Sequence, residues 1–172
     1  MPHITGLDHA IVAVNDLTAG EAAVERLGFR PTPRGLHSPH MGTANSTIVF
    51  HGNTYFEVLG VVAETEHNQA IRDGLEAGHH LFGVALKTDS ADDAAAAFAK
   101  DGIGAGPANA FARPVEMPGG DREAAFRTAN IAASATPGAY TFVCQHLTPD
   151  VVWRTDYLDQ PNAVVGVKEV VG

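Results

Sequence analysis

Apolar and polar residues alternate in blocks along the first third of the chain. The stretch LDHAIVAVNDL at 7–17 is a run of β-branched and aliphatic residues interrupted by a histidine, and it predicts a buried strand. Apolar residues then recur with helical spacing, and Thr18 followed by Glu21 predicts a hydroxyl N-cap for this helix. Two further apolar runs, at 46–52 and 54–61, are separated by His-Gly-Asn and predict an antiparallel hairpin.

The same order of elements returns in the second half of the chain. A strand end, a polar turn and a helix span 85–103, and Ser90 followed by Asp93 predicts the N-cap of that helix. Apolar runs at 122–131 and 139–147 predict two more strands. The segment NAFARPVEMPGGD before them is rich in proline and glycine and predicts a loop. The chain therefore uses one β-α-β-β-β unit twice.

This repeat predicts the domain organisation. We place the two units at 1–65 and 78–150 within a single domain that covers 1–172. The extension at 151–172 ends in the apolar run VVGVKEVVG, which predicts a final strand. That strand could close the fold, pair with a second subunit or belong to a longer protein. Because an exposed apolar edge invites pairing, we expect a homodimer.

Composition and charge restrict the class of partner. The 172 residues include 20 acidic and 11 basic side chains, and the formal net charge of −9 argues against nucleic acid because few cations are available to offset phosphate. No apolar run approaches the ~20 residues of a membrane-spanning helix, and the N-terminus lacks the pattern of a secretory signal. The single cysteine, Cys144, cannot form an intramolecular disulfide. We therefore expect a cytoplasmic protein that binds a small molecule and no membrane.

Two ionisable residues stand inside apolar strands of the first unit. His9 lies in the first strand, and Glu57 lies in the last, where Phe56 and Val58 flank it. Burial disfavours the charged form of a carboxylate unless a cation or a hydrogen-bond donor compensates. A divalent metal would do so, and imidazole with carboxylate suits Zn²⁺, Fe²⁺, Mn²⁺, Ni²⁺ or Co²⁺. The alternative is that His9 bonds a backbone carbonyl and Glu57 lies at a solvated strand end.

The repeat and several local motifs resemble the vicinal oxygen chelate superfamily, and within it the glyoxalase-like domains. The motifs are GLDHAIVAVNDLTAGEAAVERLGF, MGTAN and YFEVLG in the first unit, and CQHLTPDVVW followed by QPNAVVGV near the end. The resemblance implies an α+β fold in which two βαβββ modules pair their sheets into a curved, half-open barrel. It also implies a divalent metal in the cup of that barrel, with His9 and Glu57 as two of its ligands.

The second unit departs from the pattern that this resemblance implies. The family would take a histidine from the strand near GHHLFGVAL, where His79 and His80 lie early, and of these we predict His80 as the ligand. The family would take an acid from the strand YTFVCQHL, where Gln145 stands instead and His146 points to the opposite face. The site could have three ligands with open positions, could use the weaker carbonyl ligand of Gln145, or could have lost its metal.

Three functions fit these features. The first, which we rank highest, is a metal-dependent lyase, isomerase or dioxygenase that acts on a small oxygenated molecule by chelation and enolate-type stabilisation. In this function Glu57 serves as general base if it is not held on the metal. The second is a non-catalytic protein that binds and sequesters a small molecule. The third is an interaction domain within a longer protein. For a substrate or ligand in the cup, we predict contacts from Asn45, Phe82 and His146.

Overall fold

The computed structural model describes residues 3–78 and 80–171. In this part of the chain, eight strands form one mixed sheet in the order β2-β3-β4-β1-β5-β8-β7-β6. The strands are β1 Gly6–Val14, β2 Gly35–Leu36, β3 Thr43–Val49, β4 Tyr55–Val61, β5 Leu81–Lys87, β6 Asn109–Val115, β7 Arg122–Asn130 and β8 Tyr140–His146. The helices are α1 Leu17–Arg26, α2 Gln69–Glu76, α3 Ala91–Lys100, α4 Pro149–Val152 and α5 Thr155–Leu158. Among the described residues, none of the helices has the length and apolarity needed to cross a bilayer.

The sheet is built from two units of the same topology. The first contains β1, α1 and β2 to β4, and the second contains β5, α3 and β6 to β8. Strands β1 and β5 pair antiparallel at the centre, with His9 opposite Ala85, whereas β1 with β4 and β5 with β8 are parallel pairs. The edge strands β2 and β6 contact each other, so the sheet curls into a nearly closed barrel. The predicted α+β fold of two βαβββ modules is confirmed.

The outer face of the sheet packs against the two long helices. Val24 of α1 belongs to an apolar cluster with Ile48 of β3. Phe98 of α3 belongs to a second cluster with Val143 of β8. Each unit therefore has its own helix-on-sheet layer, as expected for a repeated strand-helix-strand arrangement in which the helix buries one apolar stripe.

The inner face of the barrel is covered by short segments at its two ends. Val151 of α4 packs against Val49 and Phe126. At the other end, Ile71 of α2 packs against Leu59 of β4. The inward positions of β1 and β4 that lie between these apolar clusters carry polar side chains, and they form the candidate site described below.

Two sequence predictions about loops and strands are wrong. The segment NAFARPVEMPGGD, which we predicted as a loop, provides β6, where Pro114 is tolerated because an edge strand leaves half of its backbone groups unpaired. The final strand that we predicted near the C-terminus is not formed, since 163–171 contain no helix or strand. This segment runs instead beside the hairpin between β3 and β4, where Val167 N donates to Thr54 Oγ1 at 3.0 Å.

The N-caps of the two long helices differ in how well the sequence predicted them. Ser90 caps α3 as predicted, because its side chain accepts a hydrogen bond from Asp93 N at 3.2 Å. The predicted cap of α1 at Thr18 is wrong, since Thr18 lies inside the helix. Asp16 caps α1 instead, and its Oδ1 accepts from Ala19 N at 3.0 Å. A carboxylate satisfies the free N–H groups of a first turn as well as a hydroxyl does.

Asp16→Ala is expected to lower the free energy of unfolding by about 1 kcal/mol, because an N–H group of the first turn of α1 loses its acceptor. Thr18→Ala, on the same turn, is the matched control; it removes only an exposed hydrogen bond from Arg34 and should change the free energy of unfolding by less than about 0.5 kcal/mol. Urea denaturation followed by circular dichroism measures both values. Equal losses for the two variants would contradict the assignment of the cap to Asp16.

Candidate functional site

A β-bulge in β1 places two consecutive polar side chains on the inner face of the barrel. The register of β1 with β5 shifts between Leu7 and His9, so Asp8 is the extra residue. A regular strand would direct Asp8 and His9 to opposite faces. The bulge brings them together, and His9 Nδ1 donates to Asp8 Oδ1 at 2.7 Å with both side chains buried.

The Asp8 carboxylate binds a second imidazole on the other side. His146 Nε2, on β8, donates to the same Oδ1 at 3.0 Å. Burial alone would raise the pKa of the Asp8 carboxyl, but the hydrogen bonds from His146 and His9 outweigh burial and lower this pKa to about 2. Lys87 Nζ lies 4.0 Å from Oδ2, and that oxygen has no hydrogen-bond partner among the described residues. Asp8 is therefore ionised at neutral pH, and it fixes both rings.

His9 connects Asp8 to another buried carboxylate. Because Nδ1 donates to Asp8, the lone pair of a neutral His9 ring lies on Nε2, which is 3.6 Å from Glu57 Oε2. The other oxygen of Glu57 accepts from Asn45 Nδ2 at 2.7 Å. The Tyr55 ring stacks on His9 with 4.1 Å between ring centroids. In the described part of the chain, no lysine or arginine nitrogen lies within 4.0 Å of the Glu57 carboxylate, so a further cation would be favourable here.

The distance between these two side chains fits a shared divalent metal. Zinc binds imidazole nitrogen at about 2.0–2.1 Å and carboxylate oxygen at about 2.0–2.2 Å, and tetrahedral ligands at these distances lie about 3.4 Å apart. The separation of His9 Nε2 from Glu57 Oε2, 3.6 Å, is close to that value. A carboxylate on the far nitrogen of a metal-binding histidine fixes its tautomer and orientation. Asp8 occupies that position.

A second group of potential ligand atoms lies beside the first. Asp8, Cys144 and His146 each offer one such atom, and these atoms lie within 4.8 Å of one another. Burial raises the pKa of the Cys144 thiol well above its ordinary value, so the sulfur stays protonated unless a metal displaces the proton. Nδ1 of His146 is buried and has no hydrogen-bond partner among the described residues. The site therefore offers two adjoining sets of metal donors.

The extension after β8 closes the inner face beside His146. The Trp153 ring lies 4.4 Å from the His146 ring and 5.9 Å from the Tyr55 ring, measured between centroids. Its Nε1 donates to Thr54 O at 3.3 Å, and Lys87 Nζ lies 5.1 Å from its ring centroid. One indole thus contacts three of the polar side chains that surround Asp8 and His9.

A small cavity adjoins the Glu57 end of the site. Its volume is about 40 Å³, and Thr47 of β3 contributes to its wall. Thr47 is paired with Glu57 across the β3–β4 ladder, and paired residues share one face of a sheet. Three arginines also line the cavity, namely Arg34, Arg113 and Arg154. The cavity therefore has a cationic wall and lies one residue pair from the buried carboxylate.

Residues 7–172 match the family model described as a glyoxalase-like domain. The chain belongs to the glyoxalase-like domain family. The predicted membership of the vicinal oxygen chelate superfamily is confirmed. No curated protein matches this glyoxalase-like protein by sequence.

Solved structures similar to this glyoxalase-like protein include methylmalonyl-CoA epimerases. The epimerase from Mycobacterium tuberculosis is 18% identical with a TM-score of 0.63, over 83% of this chain and 88% of that chain. A Streptomyces coelicolor methylmalonyl-CoA epimerase in complex with 2-nitronate-propionyl-CoA is 18% identical with a TM-score of 0.61, over 84% and 99% of the two chains. A hypothetical protein from Staphylococcus aureus is 12% identical with a TM-score of 0.70, over 90% of this chain and 65% of that chain. These likenesses show the fold.

The barrel brings several of the residues predicted for the site together. His9, Glu57 and Asn45 are joined as described above, and His146 joins them through Asp8. Asn45 lies within β3. The remaining sequence-predicted residues lie elsewhere.

Two of the four predicted metal ligands point away from His9. His80 precedes β5, and its Nδ1 lies 2.9 Å from the carbonyl oxygen of Ala13, which is about 13 Å beyond His9 along β1. Gln145 lies on the outer face of β8, where its Oε1 accepts from Ala91 N at the start of α3. The described geometry gives neither side chain a contact with His9 or Glu57.

Two further predicted residues are Phe82 and His79. Phe82, predicted as a substrate contact, packs in the apolar cluster at the α2 end of the barrel, and its ring stacks on Tyr140 at 5.4 Å between centroids. His79, the alternative to His80, lies outside the described residues. Sequence reasoning missed Asp8, although an acid inside an apolar strand was a visible signal. It also missed Tyr55 and Arg113, which no local pattern marks.

Proposed function

We propose that this glyoxalase-like protein is a metal-dependent isomerase or lyase that moves a proton beside a carbonyl group of a small oxygenated molecule. The observation that carries the proposal is the buried His9–Glu57 pair, with 3.6 Å between its ligand atoms and Asp8 on the far nitrogen of His9. We assign His9 and Glu57 as ligands of a divalent metal. A metal bound there would supply a Lewis acid that stabilises negative charge on a substrate oxygen.

The side chains around this pair have separable roles. Asp8 keeps the proton on Nδ1 of His9, so that the lone pair lies on Nε2, where it accepts a hydrogen bond from the Tyr55 hydroxyl at 3.3 Å that a metal would replace. Asn45 holds one oxygen of Glu57 at 2.7 Å and thereby orients the other. We also assign Glu57 as the group that accepts the substrate proton, through a lone pair that the metal does not occupy, since a positioned carboxylate can serve as general base. The similarity to methylmalonyl-CoA epimerases supports this reaction class, because epimerisation at carbon requires a proton to leave and return.

The test is the metal content of variants after dialysis against a mild chelator. The wild-type protein is expected to keep about one divalent ion per chain, and His9→Gln and Glu57→Gln should weaken metal affinity by at least about tenfold because each replaces a strong ligand by a weaker, neutral amide. Cys144→Ser is the matched control, since Cys144 is buried in the same cup but outside the assigned pair. Elemental analysis and titration with Zn²⁺ give both quantities.

Two outcomes would contradict the assignment. Loss of metal in Cys144→Ser with retention in Glu57→Gln would place the ion at the donor set of Asp8, Cys144 and His146. A wild-type protein that neither carries nor takes up metal would remove the enzyme proposal. For a protein that does load metal, deuterium uptake from D₂O into a panel of acyl thioesters and 2-hydroxy acids, followed by mass spectrometry, tests the proton-transfer step. Glu57→Gln, assayed with enough Zn²⁺ to keep its site loaded, should abolish that uptake.

The second candidate function is sequestration of a small molecule without turnover. Its support is that His80 and Gln145 form their hydrogen bonds away from His9, so the ligand set implied by the family resemblance is incomplete. Aromatic rings around the cup, including Tyr55 and Trp153, would provide the binding surface. The metal-free outcome above is the result that favours this candidate.

A further inference from the structure

Arg113 differs from the other two arginines that line the small cavity. Arg34 pairs with Glu21 at 2.5 Å, and Arg154 pairs with Asp156 at 2.5 Å. Among the described residues, the half-buried guanidinium of Arg113 has neither a hydrogen-bond partner nor a carboxylate within 4.0 Å. A guanidinium without a counter-ion beside a cavity can bind an anionic ligand through charge-assisted hydrogen bonds.

A glycine on the opposite edge of the barrel makes room for this guanidinium. The point that a Cβ of Gly35 would occupy lies 2.6 Å from Arg113 Nη1 and 3.0 Å from Asn45 Oδ1. Any side chain at position 35 would therefore displace one of these groups. The backbone of Gly35 is not in the left-handed region, so conformation does not require glycine here. A side chain here would instead have to push aside the end of Arg113 between β2 and β6.

Asn45 presents an unused acceptor at the same place. Its side chain is 5% exposed, its Nδ2 donates to Glu57, and its Oδ1 has no partner among the described residues. A buried carbonyl oxygen without a donor costs about 1–3 kcal/mol. Asn45 Oδ1 and Arg113 Nη1 both lie within 3.0 Å of the Cβ position of Gly35. They are therefore close enough for one small ligand to contact both groups. Glu116 also lines the cavity, but its side chain is exposed.

We propose that Arg113 and Asn45 form the binding subsite for a small 2-hydroxycarboxylate. The guanidinium takes the carboxylate, whose two oxygens match its parallel N–H groups, and Asn45 Oδ1 accepts a hydrogen bond from the adjacent hydroxyl. The 40 Å³ of the cavity suits groups of this size, and Asn45 connects the subsite directly to Glu57. The inference rests on the proposed function in that it names the substrate class of the same site.

L-Lactate is the probe, titrated by calorimetry into protein from which metal has been removed with chelator. The wild-type protein is expected to bind lactate and not the neutral lactamide, and Arg113→Gln should weaken lactate binding by at least about tenfold. Gly35→Ala should weaken it too, without a change of charge, because the added Cβ displaces the guanidinium. Arg127→Gln is the matched control, since Arg127 bonds Asp92 at 2.6 Å and is likewise half-buried.

Any of three results would overturn the subsite. The first is that the wild-type protein fails to bind lactate, the second is that it binds lactamide or inorganic phosphate as tightly as lactate, and the third is that Arg113→Gln binds lactate with unchanged affinity. Because the titration uses metal-free protein, its outcome is separate from that of the metal assignment. A protein that binds lactate through Arg113 but never holds metal keeps the subsite and loses the proposed function. If the protein loads metal at His9 and Glu57 but Arg113→Gln leaves lactate affinity unchanged, the proposed function stands and the subsite is wrong.

Discussion

Asp8→Ala is expected to lower the free energy of unfolding by about 3–5 kcal/mol. The Asp8 carboxylate is fully buried and accepts N–H bonds from His9 at 2.7 Å and His146 at 3.0 Å. Its removal leaves two buried ring N–H groups without an acceptor, and each such group costs about 1–3 kcal/mol. Urea denaturation in the presence of chelator measures the loss without a contribution from bound metal.

Two further variants separate charge from shape at this position. Asp8→Asn keeps one acceptor oxygen, so its loss of unfolding free energy should be smaller, while metal affinity should still fall by about 10- to 100-fold because the outer partner of His9 is weakened. Asp89→Ala removes an exposed acid of the same charge and should change the free energy of unfolding by less than about 0.5 kcal/mol. A loss below about 1 kcal/mol for Asp8→Ala would show that the two imidazoles find other acceptors.

Strands with apolar residues on at least one face were predictable, and edge elements were not. The runs at 46–52 and 54–61 predict β3 and β4 because both strands are central and mostly buried. Strand β6 is an edge strand with exposed side chains, so its proline-containing sequence resembles a loop. Helix α2 has only Ile71 and Leu75 buried, and this pair one turn apart is a weaker signal than the repeated units gave.

The candidate site was predictable where it depends on one strand and unpredictable where it depends on register. An ionisable residue within an apolar strand marked His9 and Glu57, and the barrel brings these two residues together. The contact of Asp8 with His9 depends on a bulge, which no residue of the local sequence announces. Gln145 faces α3 because side chains alternate along β8, and its neighbour His146 reaches the cup for the same reason.

Arg113 required knowledge of how the barrel closes. It lies on β6, while Gly35 lies on β2, at the two opposite ends of the strand order. Only the curl of the whole sheet brings these edges into contact. Sequence patterns report local periodicity and burial, so a contact between two edge strands far apart in the chain leaves no periodic signal. Arg113, the cation of the proposed subsite, therefore lies in a segment whose sequence predicts a loop.

Trp153→Ala is expected to lower the free energy of unfolding by about 3 kcal/mol, the low end of the cost of truncating an aromatic core residue, because this ring is half-buried. The indole contacts the rings of His146 and Tyr55, and its Nε1 donates to Thr54 O. Trp153 is the single tryptophan of the chain, so unfolding must be followed by circular dichroism rather than by tryptophan fluorescence.

Trp153→Phe is the control that separates packing from hydrogen bonding. Phenylalanine keeps an aromatic ring against His146 and loses the N–H donor, so a loss of about 1 kcal/mol is expected. If alanine and phenylalanine cost the same, the ring contributes nothing to the cover of the inner face. If alanine costs more, as we expect, the extension after β8 stabilises the barrel through this ring. In that case Trp153→Ala should also speed the release of metal to chelator, because water then reaches His146 and the neighbouring Asp8.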